Sequence, residues 1–182
     1  MALEFTTSHL ADSIAVFRYY KKLAERAMEQ MPDKHLSTIL DGESNSIAII
    51  VKHLAGNMRS RWTDFLTTDG EKADRDRDSE FEKPATARAQ MMAQWESGWA
   101  VMFTALEGLT DTDLARTVMI RGEAHSVMRA INRQLAHYPY HIGQIVMLAR
   151  HFAGEGWTSL TVPRGKSAEF NKRVASGEAS RR

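Results

Sequence analysis

The feature that most constrains this chain is a single long amphipathic pattern, Val127 to Phe152. It carries two histidines one helical turn apart, in Leu135-Ala136-His137-Tyr138-Pro139-Tyr140-His141-Ile142-Gly143-Gln144. Stepped at about 100° per residue, Val127, Ile131, Leu135, Tyr138, Ile142, Ile145 and Phe152 fall on one stripe, with Arg129, Asn132, Arg133 and Arg150 on the opposite side. A helix of this length with one apolar stripe must bury that stripe against other helices, which points to a bundle. His137 and His141 project from the same flank of the stripe, facing a neighbouring helix. Two imidazoles so placed bind one divalent cation when a third ligand comes from elsewhere. Pro139, between them, cannot donate to Leu135 and is expected to bend the helix and rotate one histidine relative to the other.

The third ligand is His53, in Ile49-Ile50-Val51-Lys52-His53-Leu54. The β-branched start of this segment, Ile47 to Val51, could pass for a strand, but the spacing of Ile50, Leu54, Met58, Trp62 and Phe65 decides for a helix. His53 sits on the flank of that stripe as His137 and His141 sit on theirs. Packed side by side, the two helices would form a three-histidine site with room for a water or substrate, the arrangement of a catalytic metal rather than a structural one. The residues leave a second reading open, in which each flank histidine simply hydrogen-bonds a neighbour. His9, His35, His125 and His151 are not expected to be ligands: His151 points toward the polar face, and the others lie outside the two ligand helices. Asn57, Gln134 and Gln144 are candidates for orienting the ligands, and Arg61 and Tyr140 for contacting a substrate.

Two further helices complete the bundle. Phe5 to Met31 repeats apolar residues at helical spacing behind a Thr7 or Ser8 cap, and Pro32-Asp33 ends it. The second helix, capped within Ser44 to Ser46, runs to about Leu66. Glu71 to Lys83 mixes charges of both signs and reads as a solvated surface loop. Pro84 opens a third helix to about Leu109, with Ala89, Met92, Trp95, Trp99, Met102 or Phe103, and Leu106 on its stripe. Between Leu114 and Ser126 a loose alternation around Arg121-Gly122 suggests a short β-hairpin. The expected fold is therefore an all-α four-helix bundle, 1–182 as a single domain. Residues 157–182 form a C-terminal extension pinned by Trp157, Leu160 and Val162 and frayed beyond about Val174.

Composition narrows the function classes. The 24 Lys and Arg against 23 Asp and Glu leave no net field to attract nucleic acid or an anionic membrane. No cysteine is present, so a metal must take nitrogen and oxygen donors. No basic segment followed by an apolar run opens the chain, and no apolar stretch approaches the roughly 18 residues of a membrane span. A cytoplasmic protein is expected.

One histidine in the second helix and a His-x-x-x-His in the fourth resemble the metal-binding pattern of the DinB/YfiT-like superfamily. Asn45 to Leu54, Arg61 to Lys72, His137 to Gln144 and Pro163 to Asn171 resemble a branch of it filed as a domain of unknown function, and the likeness spans nearly the whole chain. It implies a helical bundle in which His53, His137 and His141 hold zinc or nickel, usually in a homodimer. It also implies a metal-dependent enzyme on a small molecule, either a thiol S-transferase or a hydrolase. The alternative is a non-catalytic, metal-stabilised dimeric bundle of stress-related type. The glutamate that serves as general base in His-Glu-x-x-His is absent, Tyr138 standing there, so a protease of that type is not expected.

Overall fold

The computed structural model describes residues 7–179. Four long helices, α1 (His9–Glu29), α2 (Ile47–Trp62), α3 (Arg88–Glu107) and α4 (Val127–Ala153), build the bundle. A hairpin of β1 (Thr117–Ile120) and β2 (Glu123–Ser126) leads into α4, and a short α5 (Ser167–Ala175) follows it. The fold is thus mostly helical, with five helices rather than four. The fifth lies where little periodicity was visible: its nine residues are too short to show a stripe, and none of them is buried. The tail beyond residue 179 lies outside the described residues.

Serine hydroxyls start three of the helices. Ser8 accepts from Ala11 N, Ser46 from Ile49 N and Ser126 from Arg129 N, each satisfying an amide the helix leaves unpaired. α2 stops at Trp62, short of the expected Leu66, because Thr63 is extended and Asp64 turns left-handed (φ 47°). α4 runs unbroken as an α-helix through Pro139.

α2 packs most extensively on α3, and α1 on α4; α2 and α4 meet over a smaller area. The α2–α3 approach depends on Gly98, where a Cβ would stand 2.8 Å from the Ala55 Cα. Trp99 lies at the centre of the core, its ring edge-on to Phe17, Trp95 and Tyr138. The buried stripe of α3 begins at Met91, with Ala89 exposed and Met92 half-buried. Its two tryptophans, with Met91 and Met102, are buried in the protein's own core. On α4, Leu135 and Phe152 are only half-buried, and Ala130 and Gln134 take buried places, turning that face toward α2.

The hairpin turns on Arg121 and Gly122, both left-handed (φ 56° and 74°), the pattern of a two-residue primed turn. Asp69 fixes it by accepting from the amides of Arg121 and Gly122 at 2.8 and 2.7 Å. No helix of the described residues is long and apolar enough to cross a membrane.

Candidate metal centre

α2 and α4 bring three imidazoles together. One ring nitrogen from each of His53, His137 and His141 lies within 4.8 Å of the other two, and His53 Nε2 is 3.3 Å from His137 Nε2. His53 is 4% exposed, and the other two are half-buried. Pro139 therefore does not spoil the site; both α4 histidines still face His53. The remaining histidines lie elsewhere: His35 stacks on Phe152, His125 is buried on β2, His151 is exposed, and His9 sits at the start of α1 near Ser13.

Each ligand ring is held through its other nitrogen. His53 Nδ1 donates to Glu80 at 2.9 Å, His137 Nδ1 to Gln134 Oε1 at 3.2 Å, and His141 Nδ1 to Gln144 Oε1 at 2.8 Å. Gln144 is oriented in turn, since its amide donates to the Tyr140 hydroxyl at 3.3 Å. In the tautomer in which the Glu80, Gln134 and Gln144 oxygens accept from an Nδ1 proton, each Nε2 is left with a bare lone pair. Three lone pairs turned toward one another repel, and a shared cation converts that repulsion into attraction. Nitrogens about 2.1 Å from one tetrahedral ion stand about 3.4 Å apart, close to the His53–His137 separation. The three-histidine group could therefore hold a metal ion. Imidazole donors suit zinc, nickel, copper or iron, and not the oxygen-seeking magnesium or calcium.

Electrostatics keep two of the rings neutral. Burial, then the neighbouring His141, His53, Arg61 and Arg75, lower the His137 pKa to about 3. Burial also lowers that of His141, against the opposing bond to Gln144. Neither needs to lose a proton at neutral pH to accept a metal.

Glu80 is the participant that sequence reasoning missed. The segment Glu71 to Lys83 is not simply a solvated loop: Glu80 is 5% exposed, and its carboxylate takes two bonds from Arg75 at 2.8 and 2.9 Å besides the one from His53. Burial raises the Glu80 pKa, but the bonds from His53 and Arg75 outweigh it and leave the group below the ordinary carboxylate range. Lys52, next to His53, grips the same segment through the carbonyls of Ser79 and Glu82, and Phe81 stacks on the His53 ring at 4.9 Å. Gly56, one turn further along α2, makes room, since a Cβ there would lie 2.7 Å from the Glu80 Cδ. The available signal was Phe81, the one aromatic residue in a run of charges.

The other candidates divide. Asn57 bonds no ligand: its Oδ1 accepts from the Tyr138 hydroxyl, which also accepts from Trp62 Nε1, so Tyr138 is locked in the core. Arg61 is buried, donating to the Gly70 carbonyl at 2.5 Å and to Glu71 at 3.0 Å. Tyr140 is 64% exposed, edge-on to His141. The histidines open on a cleft of about 420 Å³ that Asn57, Arg61 and Gln134 also line. Arg133, placed opposite the stripe by its spacing, lines this cleft too. No carboxylate lines it.

No curated protein and no solved structure matches the chain. A family model described as "Protein of unknown function (DUF1572)" matches residues 4–166, nearly the whole of the sequence, and the chain belongs to that family.

Proposed function

We propose that His53, His137 and His141 bind one zinc or nickel ion and that the protein is a metal-dependent enzyme acting on a small molecule, with thiol transfer as its chemistry. The observation that carries this reading is the convergence of one ring nitrogen from each of three histidines, every one of which has its Nδ1 within hydrogen-bond distance of an oxygen. The resemblance to the DinB/YfiT-like superfamily supports it.

When bound, such a metal supplies Lewis acidity that can acidify a water or thiol or polarise a carbonyl. The chain's residues favour the thiol. The cleft offers no carboxylate to take a proton, Glu80 is engaged by His53 and Arg75, and Tyr138 is locked behind Asn57 and Trp62. A nucleophile here must give its proton to solvent, which a thiol does near neutrality far more readily than water. Gln134, Gln144 and Glu80 hold the imidazoles in the tautomer that leaves Nε2 free, and Phe81 shields one face of His53.

Metal analysis of protein purified without a nickel column, followed by a screen of thiol and electrophile pairs, tests this reading. About one equivalent of zinc or nickel is expected. His137→Ala should lower metal affinity by more than the roughly 10- to 100-fold that losing an outer hydrogen-bond partner costs, and abolish turnover, while the bundle stays folded on its separate core. Full turnover by His137→Ala would overturn the proposal.

A further inference from the structure

The cleft in front of the histidines is lined by five arginines, Arg61, Arg75, Arg77, Arg121 and Arg133. Two are structural: the side chains of Arg61 and Arg75 are buried and tied to Gly70, Glu71 and Glu80, only the Arg61 Nε being left without a partner. Arg121 is more than half exposed and spends its Nε on Glu71. Arg77 lies over the Phe81 ring at 5.3 Å, the ring that also stacks on His53, so its charge sits one ring away from a ligand. Arg133 precedes His137 by one turn of α4, as His137 precedes His141, so all three share one side of the helix. Among the described residues, no hydrogen bond or ion pair engages the guanidinium of Arg77 or Arg133.

Asp76 and Asp78 flank Arg77 in the chain, but neither lines the cleft or forms an ion pair with Arg77, and the carboxylates nearest the buried arginines are already committed. Glu71 serves Arg61, Arg75 and Arg121, Glu80 serves Arg75 and His53, and Asp69 serves the backbone amides of Glu71, Arg121 and Gly122. A chain with nearly balanced charge overall, 24 basic residues to 23 acidic, has thus concentrated unpaired positive charge at one concave site. Such a site raises the local concentration of anions, and a guanidinium fork matches the paired oxygens of a carboxylate or phosphate.

Building on the metal-centre reading for where the reacting atom sits, we propose that the substrate is an anion whose carboxylate or phosphate group is gripped by Arg77 and Arg133, with Arg121 beside them. Neither Arg77 nor Arg133 belongs to the core, so both can be replaced without unfolding the bundle.

Calorimetric titration of the full chain, zinc-loaded and metal-stripped, with succinate and separately with inorganic phosphate at constant ionic strength tests the proposal; succinamide serves as the neutral control. Arg77→Gln and Arg133→Gln should each weaken anion binding about tenfold, the loss of a charged hydrogen-bond partner, with zinc content unchanged. Succinamide should bind at least tenfold more weakly than succinate, and the tighter of the two anions identifies the group recognised. Undiminished anion binding by the double variant, or succinamide binding as well as succinate, would overturn the proposal. Arginine-dependent anion binding by a chain that takes up no metal would sink the metal-centre reading and leave this one standing.

Discussion

Glu80 orients His53 and neutralises Arg75 with the same two oxygens, so its removal separates two effects that the wild-type structure joins. Glu80→Gln keeps an oxygen for one partner but loses the charge that holds both. Metal affinity should fall about 10- to 100-fold, and stability should drop by a few kcal/mol because a buried guanidinium loses its main counter-ion. Competition with a chromophoric chelator and urea unfolding measure the two separately; unchanged zinc affinity would mean that His53 needs no such partner. The histidines also set a pH dependence. In the unfolded chain His137 and His141 titrate near the ordinary value of 6.5, but in the fold His137 is held near 3 and His141 below its ordinary value. Between those limits the unfolded chain binds protons that the folded one refuses, so stability falls as pH drops. Glu80, depressed below its ordinary 4.5, acts in the same direction at lower pH. Metal-stripped protein should show a flat urea midpoint from pH 8 to 7 and a falling one below about 6.5. Equal midpoints at pH 7.5 and 5 would contradict the neutral histidines.

At the scale of elements, α2 is built to receive the segment that follows it. Gly56→Ala would push a methyl into the Glu80 carboxylate, which Arg75 and His53 prevent from swinging aside. The expected result is weaker zinc binding, by about tenfold on the same outer-partner scale, in a protein whose helical content is unchanged; wild-type affinity would show that the carboxylate moves freely. Nothing in local sequence announces this fit. The helices were legible because their stripes repeat every three to four residues, as in Ile50, Leu54, Met58 and Trp62, and so were Arg121-Gly122 as a turn and the flank positions of His53, His137 and His141. Alternating charges from Glu71 to Lys83 carry no such period. Whether Glu80 meets solvent or an imidazole depends on a contact 27 residues away along the chain. Asn57 makes a related point: helical spacing fixes a face but not a partner, and its Oδ1 accepts from the hydroxyl of Tyr138. α5 was missed because its apolar residues, Phe170 and Val174, make only one turn's worth of pattern.

For the molecule as a whole, the metal would join the parts that the apolar core joins least. The core ties α2 to α3 and α1 to α4, whereas α2 and α4 share a smaller contact that the three histidines bridge. The segment Glu71 to Lys83 is attached largely by polar bonds, through Glu80 to His53, Glu71 to Arg61 and Lys52 to Ser79 and Glu82. Fixing His53 on a metal therefore also fixes Glu80 and, with it, this segment. A ligand present at 100 times its dissociation constant stabilises by about 2.7 kcal/mol, which for a chain of this size corresponds to roughly 5–11 °C in Tm. Zinc added to metal-stripped protein should raise Tm by that order. Amide exchange should slow most in residues 71–83 and around His53 and His137, and least in the middle of α3, whose Trp95, Trp99 and Met102 are buried independently of the site. The metal-free chain should still unfold in one cooperative step. If removing the metal instead melted the bundle, the ion would be a structural clamp and the non-catalytic alternative would be the better account of the three histidines. If Tm and exchange were the same with and without zinc or nickel, the histidines would not be a metal site.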